Sequence, residues 1–248
     1  MHLIRPDWPA PTNIAAVFTT RLDGVSDPPY HSLNLSPNVD DDNEAVGENR
    51  MRLCAILPSA PNWLRQAHTS RVLRAEDIES DVSVADAAYT FSAGVPCAVI
   101  TADCLPVLLC TRDGNGVAAA HAGWRGLAAG VLENTVAVLR ANSDEPLIAY
   151  LGPAISAAHY EVGADVRDAL CRDELDASHF YLHDATDEKW FANLPQLAAR
   201  RLRDLGIEDI TFSTACTYED KKHYFSARRD NKTGRMAALV WKTALPKA

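Results

Sequence analysis

Residues 101–126, TADCLPVLLCTRDGNGVAAAHAGWRG, carry a cysteine and a histidine at the two ends of one apolar–turn–apolar pattern. TRDGNG holds two glycines and an Asp-Gly pair, a strong hairpin signal, between CLPVLLC and VAAAHAG. With the turn centred near Arg112 and Asp113, Cys104 and His121 stand opposite each other, Cβ atoms roughly 5 Å apart on one face. A thiolate and an imidazole at that separation can share a metal ion, or can act without metal as a nucleophile and its base. A cysteine and a histidine that merely pack fit the same pattern. A slip of one residue would send one of them to the other face.

Several elements must position this pair. NIAAVFTT reads as a strand, followed by a long polar loop through LDGVSDPPYHSLNLSPNVDDD. A helix is expected from about Asn43, with Val46, Arg50, Leu53 and Leu57 on one face. NWLRQAH, RVLRA, CAVITAD and CLPVLLC have strand lengths and strand composition. After the GWRG turn, Leu127, Val131, Leu132, Thr135, Val138 and Leu139 fall on a helical stripe. NLPQLAARRLRDLG predicts a further helix: Asn193 as cap, Pro195 in the first turn, Leu194, Leu197, Ala198, Leu202 and Leu205 on one face, and Gly206 as the stop. DITFSTACTY, HYFSARR and RMAALVWK read as closing strands, with DNKTG as the turn between the last two. Strands come in runs, which favours an α+β fold over strict βα alternation.

The chain has 248 residues, no linker-like segment and no repeat, so one domain spanning 1–248 is expected. A net charge of -9 argues against a general nucleic-acid binder, whose affinity rests on clustered Lys and Arg. MHLIRPDWPAP lacks the charged start and apolar run of a signal peptide, and no apolar run approaches the ~20 residues of a membrane span. A cytoplasmic protein without membrane or nucleic-acid partners is the expectation, as a monomer or weak homo-oligomer. Six scattered cysteines with no CxxC pair argue for free thiols rather than a disulfide framework.

TADCLPVLL, HAGWRG, LGPAIS with YEVG, and FSARRDNKTGRMAALVW together resemble the YfiH-like family, also called the polyphenol oxidase or laccase-domain family. The resemblance runs from VFTTR to Trp241. It implies an α+β fold of mixed sheets flanked by helices, layered α/β/β/α and akin to CNF-like cysteine hydrolases. It also implies a metal held by His68 of QAH, Cys104 of TADC and His121 of HAGW, which would then be the catalytic centre. One thiolate and two imidazoles suit zinc, or alternatively copper, and three protein ligands leave a fourth position open. GGVS is common in the family where this chain has LDGVS, so the loop after Arg21 departs from the pattern.

The family's activities are of three kinds: phosphorolysis of adenosine, inosine and methylthioadenosine with deamination of adenosine; editing of peptidoglycan precursors; and copper-dependent polyphenol oxidation. Multicopper chemistry is disfavoured here, because the chain has eight histidines and no two of them are two residues apart. A metal-free Cys104–His121 thiol hydrolase and a metal-stabilised interaction module remain as alternatives. Phosphorolysis requires an anion pocket, for which Arg228, Arg229 and Arg235 are candidates, with Arg21 and Arg125. Asn34 and Glu161 are weaker substrate-contact candidates. Asp103, next to Cys104, is expected to orient a ligand or cap a turn. His159, His179, His183 and His223 show no ligand spacing.

Overall fold

The structure is a computed structural model that describes residues 1–184, 186 and 188–243. Along the chain run β1 (Leu3–Ile4), β2 (Ile14–Thr19), α1 (Asn43–Cys54), β3 (Val72–Arg74), β4 (Ala87–Thr90), β5 (Cys97–Thr101), β6 (Leu105–Thr111), β7 (Val117–Ala122), α2 (Trp124–Ala128) and α3 (Val131–Arg140). They continue with β8 (Leu147–Leu151), β9 (Glu161–Val162), α4 (Ala164–Leu170), α5 (Glu174–Ala177), β10 (Phe180–Asp184), β11 (Lys189–Ala192), α6 (Leu194–Asp204), β12 (Asp209–Phe212), α7 (Ala227–Asp230) and β13 (Met236–Lys242).

Two sheets stack, and the period-2 alternation of their strands decides which residues enter which core. A mixed six-stranded sheet has the order β12-β8-β6-β7-β4-β3, and an antiparallel four-stranded sheet has the order β1-β2-β13-β5. On β6, Leu105, Val107 and Leu109 pack with α3 and α6 residues such as Leu139 and Leu202, while Leu108 and Cys110 face the second sheet. On β13, Ala238 and Val240 face that same inter-sheet core, and Ala237, Leu239 and Trp241 face outward against Leu53 of α1. The order of layers is helices, sheet, sheet, helix, which is the expected α/β/β/α arrangement. A small antiparallel sheet, β10-β11-β9, flanks the helical side. No helix among the described residues is long and apolar enough to cross a membrane.

The structure corrects five local expectations. The hairpin turn is centred one residue later than expected, so β6 and β7 pair Leu105 with Ala122 and Pro106 with His121. The residue opposite Cys104 in that register is therefore Gly123 rather than His121. The shift moves the partner by two positions, an even number, so Cys104 and His121 keep the same face. HYFSARR is no strand: Ser226 caps the short helix α7, which carries Arg228 and Arg229, and DNKTG leads from that helix into β13. NWLRQAH contributes only an isolated bridge from Arg65 to Val84. The helix after GWRG breaks in two at Gly130, whose φ of 90° no β-carbon-bearing residue adopts easily; Val136 rather than Val138 is buried on α3. β1, β4, β8 and everything between Leu151 and Asn193 went without an expected element, because runs this short carry too little periodicity to be distinguished.

Candidate metal centre

The chain leaves the four-stranded sheet at Thr101 and enters the six-stranded sheet at Leu105, and Cys104 lies in the three-residue corner between them. Asp103 makes the corner possible by adopting φ 87°, a left-handed value that Asp tolerates better than most residues. His121 projects from the end of β7. His68 comes from the loop before β3 and is also left-handed, at φ 58°. The ligand atoms of His68, Cys104 and His121 all lie within 4.8 Å of one another, the one such cluster among the described residues. Cys104 Sγ is 3.7 Å from His68 Nε2. Tetrahedral zinc, with legs of about 2.3 Å to sulfur and 2.0–2.1 Å to nitrogen, separates two such donors by about 3.5 Å. The donor set and its spacing fit a metal of the zinc or copper type.

One residue missed in the sequence organises the cluster. Asp86 is fully buried, and its carboxylate accepts hydrogen bonds from the backbone N–H groups of Ala67, His68 and Thr69 and from the Thr69 hydroxyl. It also bonds His121 Nδ1 at 2.9 Å, which leaves Nε2 for the metal and fixes the ring's orientation. One carboxylate thus holds both histidines. Burial alone would raise the Asp86 pKa, but the bonds from His121 and Thr69 more than offset it and lower it to about 2. The sequence signal was an aspartate inside the apolar run VADAAYT, where an acid is out of place unless partnered. Burial works against both the Cys104 thiolate and the His121 imidazolium, yet the two imidazoles depress the Cys104 pKa, and Cys104 and Asp86 together shift His121 upward. Without metal the pair is poised as thiolate and imidazolium.

Gly123 leaves room for all this. A β-carbon there would lie 2.6 Å from His68 Cδ2 and 3.0 Å from Cys104 Sγ.

Two cavities open on the cluster. The first, about 300 Å³, is lined by Gln66, Ile100, Thr101 and Arg235 together with all three ligands. The second, about 570 Å³, is lined by Trp124, Ile155, Tyr160, Arg228 and Asn231, with His68 and Cys104 at its edge.

The expected substrate-contact residues divide. Arg228 and Arg235 face these cavities. Arg229 does not: its guanidinium bonds the carbonyls of Thr217, Tyr218 and Tyr224 and pairs with Asp230, tying α7 to the preceding loop. Arg21 lies over the Phe225 ring and bonds the carbonyls of His31 and Lys221. Arg125 is exposed and stacked on Trp124. Asn34 is fully buried; it bonds Asp41 and the Ser36 backbone and accepts from the Arg235 backbone N–H, so it acts on the first cavity only by holding Arg235 in place. Asp103 receives Thr217 Oγ1, Ser226 Oγ and the Arg228 backbone N–H, fastening α7 to the corner. Glu161 meets exposed His183 at 3.5 Å, His159 pairs with Glu219 and His223 with Asp220. His179 is held below its ordinary pKa by burial and nearby arginines.

A family model described as multi-copper polyphenol oxidoreductase laccase matches residues 15–243. Escherichia coli purine nucleoside phosphorylase YfiH is 48% identical over 241 residues, covering 96% of this chain and 98% of the relative. Pseudomonas aeruginosa purine nucleoside phosphorylase PA4543 is 47% identical over 238 residues, covering 96% and 97%. Among solved structures, Neisseria meningitidis protein NMB0706 superposes with a TM-score of 0.90 at 43% identity, covering 98% of this chain and 100% of that one. YlmD from Geobacillus stearothermophilus gives 0.82 at 29% identity, covering 94% and 93%. With matches that run from the second strand to the last and span all three residues of the cluster, this chain belongs to the YfiH-type, laccase-domain family.

Proposed function

We propose that this chain is a metal-dependent purine nucleoside phosphorylase that also deaminates adenosine, working as a single catalytic unit with zinc, or alternatively copper, at His68, Cys104 and His121. The observation that carries the reading is the convergence of one thiolate and two imidazoles between two cavities that both hold an arginine. The names of the E. coli and P. aeruginosa relatives support it. In phosphorolysis of inosine, adenosine or methylthioadenosine the bond from C1′ to the purine nitrogen breaks. A C1′–oxygen bond to phosphate forms, and the purine leaves with the bonding electrons and takes up a proton. When bound, the metal supplies an electrophilic centre with an open position, chemistry that serves phosphorolysis and hydrolytic deamination alike.

The remaining work falls to the chain itself. Asp86 keeps His121 in the tautomer that presents Nε2 and holds the 67–69 backbone that carries His68. Tyr160, its phenol kept protonated by burial, and Trp124 offer aromatic walls to a flat base. Arg228 and Arg235 concentrate positive charge in a protein of net charge -9.

The test is release of hypoxanthine from inosine by protein purified without chelator. Release that requires phosphate and yields ribose 1-phosphate supports the reading. Conversion of adenosine to inosine without any phosphorolysis leaves only a deaminase, and release of an amino acid from a peptidoglycan precursor with inert nucleosides replaces both. A polyphenol oxidase would oxidise a catechol substrate at a rate that tracks bound copper.

A further inference from the structure

Arg235 has a half-buried guanidinium that forms no ion pair with a carboxylate among the described residues. It bonds only the carbonyls of Thr233 and Gly234, both through Nη1, which leaves Nε and Nη2 as unused donors. No acidic side chain lines the cavity it faces, where its polar neighbours include Ser36, Gln66 and Thr101. Burial makes the cation costly and lowers its pKa, with the negative charges of Cys104 and Asp103 working in the opposite sense from beyond contact distance. A half-buried cation with two free donors and no ion-pair partner is a receptor for an anionic ligand.

The other cavity is built differently. It is larger and has Trp124, Tyr160 and Ile155 as walls. The buried carboxylate of Asp103 lies on its lining, and its own arginine, Arg228, is exposed, lies over the Tyr160 ring and bonds the Glu161 carbonyl. Aromatic faces suit a purine, and a carboxylate on the lining itself, which the smaller cavity lacks, disfavours a dianion there. His68, Ala102, Cys104 and Ala227 line both cavities and form the seam between them.

We infer that the two cavities divide the substrates: inorganic phosphate binds to Arg235 in the smaller one, the purine lies between Trp124 and Tyr160 in the larger, and the ribose spans the seam. This deepens the phosphorylase reading and rests on it. The arrangement places the incoming oxygen and the departing base on opposite sides of C1′, as a direct displacement requires.

The division is tested with Arg235→Gln, Arg235→Lys, Arg228→Gln and Tyr160→Leu, each first checked for an unchanged far-UV spectrum. Arg235→Gln is expected to raise the KM for phosphate at least about tenfold, since charge-assisted bonds are lost, while the KM for inosine stays within about threefold. Arg235→Lys keeps the charge and is expected to fall between wild type and Arg235→Gln. Tyr160→Leu is expected to do the reverse, raising the KM for inosine and sparing that for phosphate. A phosphate KM that responds to Arg228→Gln and ignores Arg235→Gln overturns the assignment. A separate readout needs no turnover: inorganic phosphate should raise the thermal midpoint of the wild-type protein, and that rise should be absent in Arg235→Gln. If the wild type fails to release base from nucleosides yet shows the phosphate-dependent rise, the function reading falls and the anion site stands. If phosphate leaves the wild-type midpoint unmoved, or moves both proteins equally, the anion site falls whatever the activity.

Discussion

Cys104 and Asp86 separate what a residue does for the metal from what it does for the fold. Cys104→Ala removes one of the three proposed ligands at a site open to solvent and leaves little void, so the loss of stability is expected to be no more than ~1–2 kcal/mol, small against a typical ~5–15 kcal/mol. Bound metal and phosphorolysis should both be abolished. Full activity after metal loss would overturn the metal mechanism, and a collapsed thermal midpoint would show the metal to be structural. Asp86→Asn keeps the shape of the side chain but exchanges an acceptor for a donor facing His121 and three backbone N–H groups. Metal affinity is expected to drop by roughly 10–100-fold, as for other outer partners of ligating histidines. Because the folded Asp86 pKa is depressed to about 2, its contribution is fully present above the ordinary carboxylate pKa and is lost as pH falls through about 2. On metal-stripped protein, the advantage of wild type over Asp86→Asn in thermal midpoint should therefore be full between pH ~4 and ~6, shrink below that range, and shrink again at alkaline pH as His121, whose pKa Asp86 helps raise to about 9, loses its proton. An advantage that persists undiminished at pH ~2 would show that the carboxylate's charge is not what stabilises the loop.

At the scale of elements, glycines show where close approach matters and where it does not. Gly123 ends β7 and starts α2 directly beneath the ligands, so Gly123→Ala is expected to push His68 and Cys104 apart and weaken metal binding at least about tenfold. Gly47, inside α1, has no atom within 4 Å of its would-be β-carbon. Gly47→Ala should stabilise the protein by about 0.5–1 kcal/mol and leave metal affinity alone. Metal titration and thermal melts on the two variants check both; equal metal affinity in the pair would remove the steric argument for Gly123. The hairpin shows how much of an element is legible beforehand. Its existence, its strands and the common face of Cys104 and His121 follow from TRDGNG and flanking apolar runs, while the centre of the turn does not, because Asp-Gly and Asn-Gly offer competing turn sites one residue pair apart.

At the scale of the whole molecule, the His68, Cys104 and His121 cluster lies beside strands whose other residues weld two sheets together. Leu108 on β6 is fully buried in the inter-sheet core. Leu108→Ala is expected to cost about 2–5 kcal/mol while metal affinity per folded molecule is retained, since the side chain faces the second sheet rather than the ligands. Denaturant melts and metal titration would report this, and metal loss in step with stability would show that the site depends on sheet packing as a whole.

Periodicity, capping and turn chemistry were enough to place β2, α1, β5, β6, β7, α6 and β13, because long apolar alternation and Asn193–Pro195 capping act locally. The motif blocks singled out His68, Cys104 and His121, which the structure brings together in an arrangement that could hold a metal, because the sequence carries them as residue types in recognisable surroundings. Local signals failed where the conformation is imposed from outside. Arg228 and Arg229 read as strand residues, but Asp103, 125 positions away from Arg228, draws that segment into a capped helix. Which arginine faces a cavity, and that Asp86 unites two histidines 53 positions apart, depend on contacts between segments remote in sequence. Side-chain periodicity specifies a face. Only the packing of both sheets decides which face closes over a core, which opens on a cavity, and which charged groups are left there without a partner.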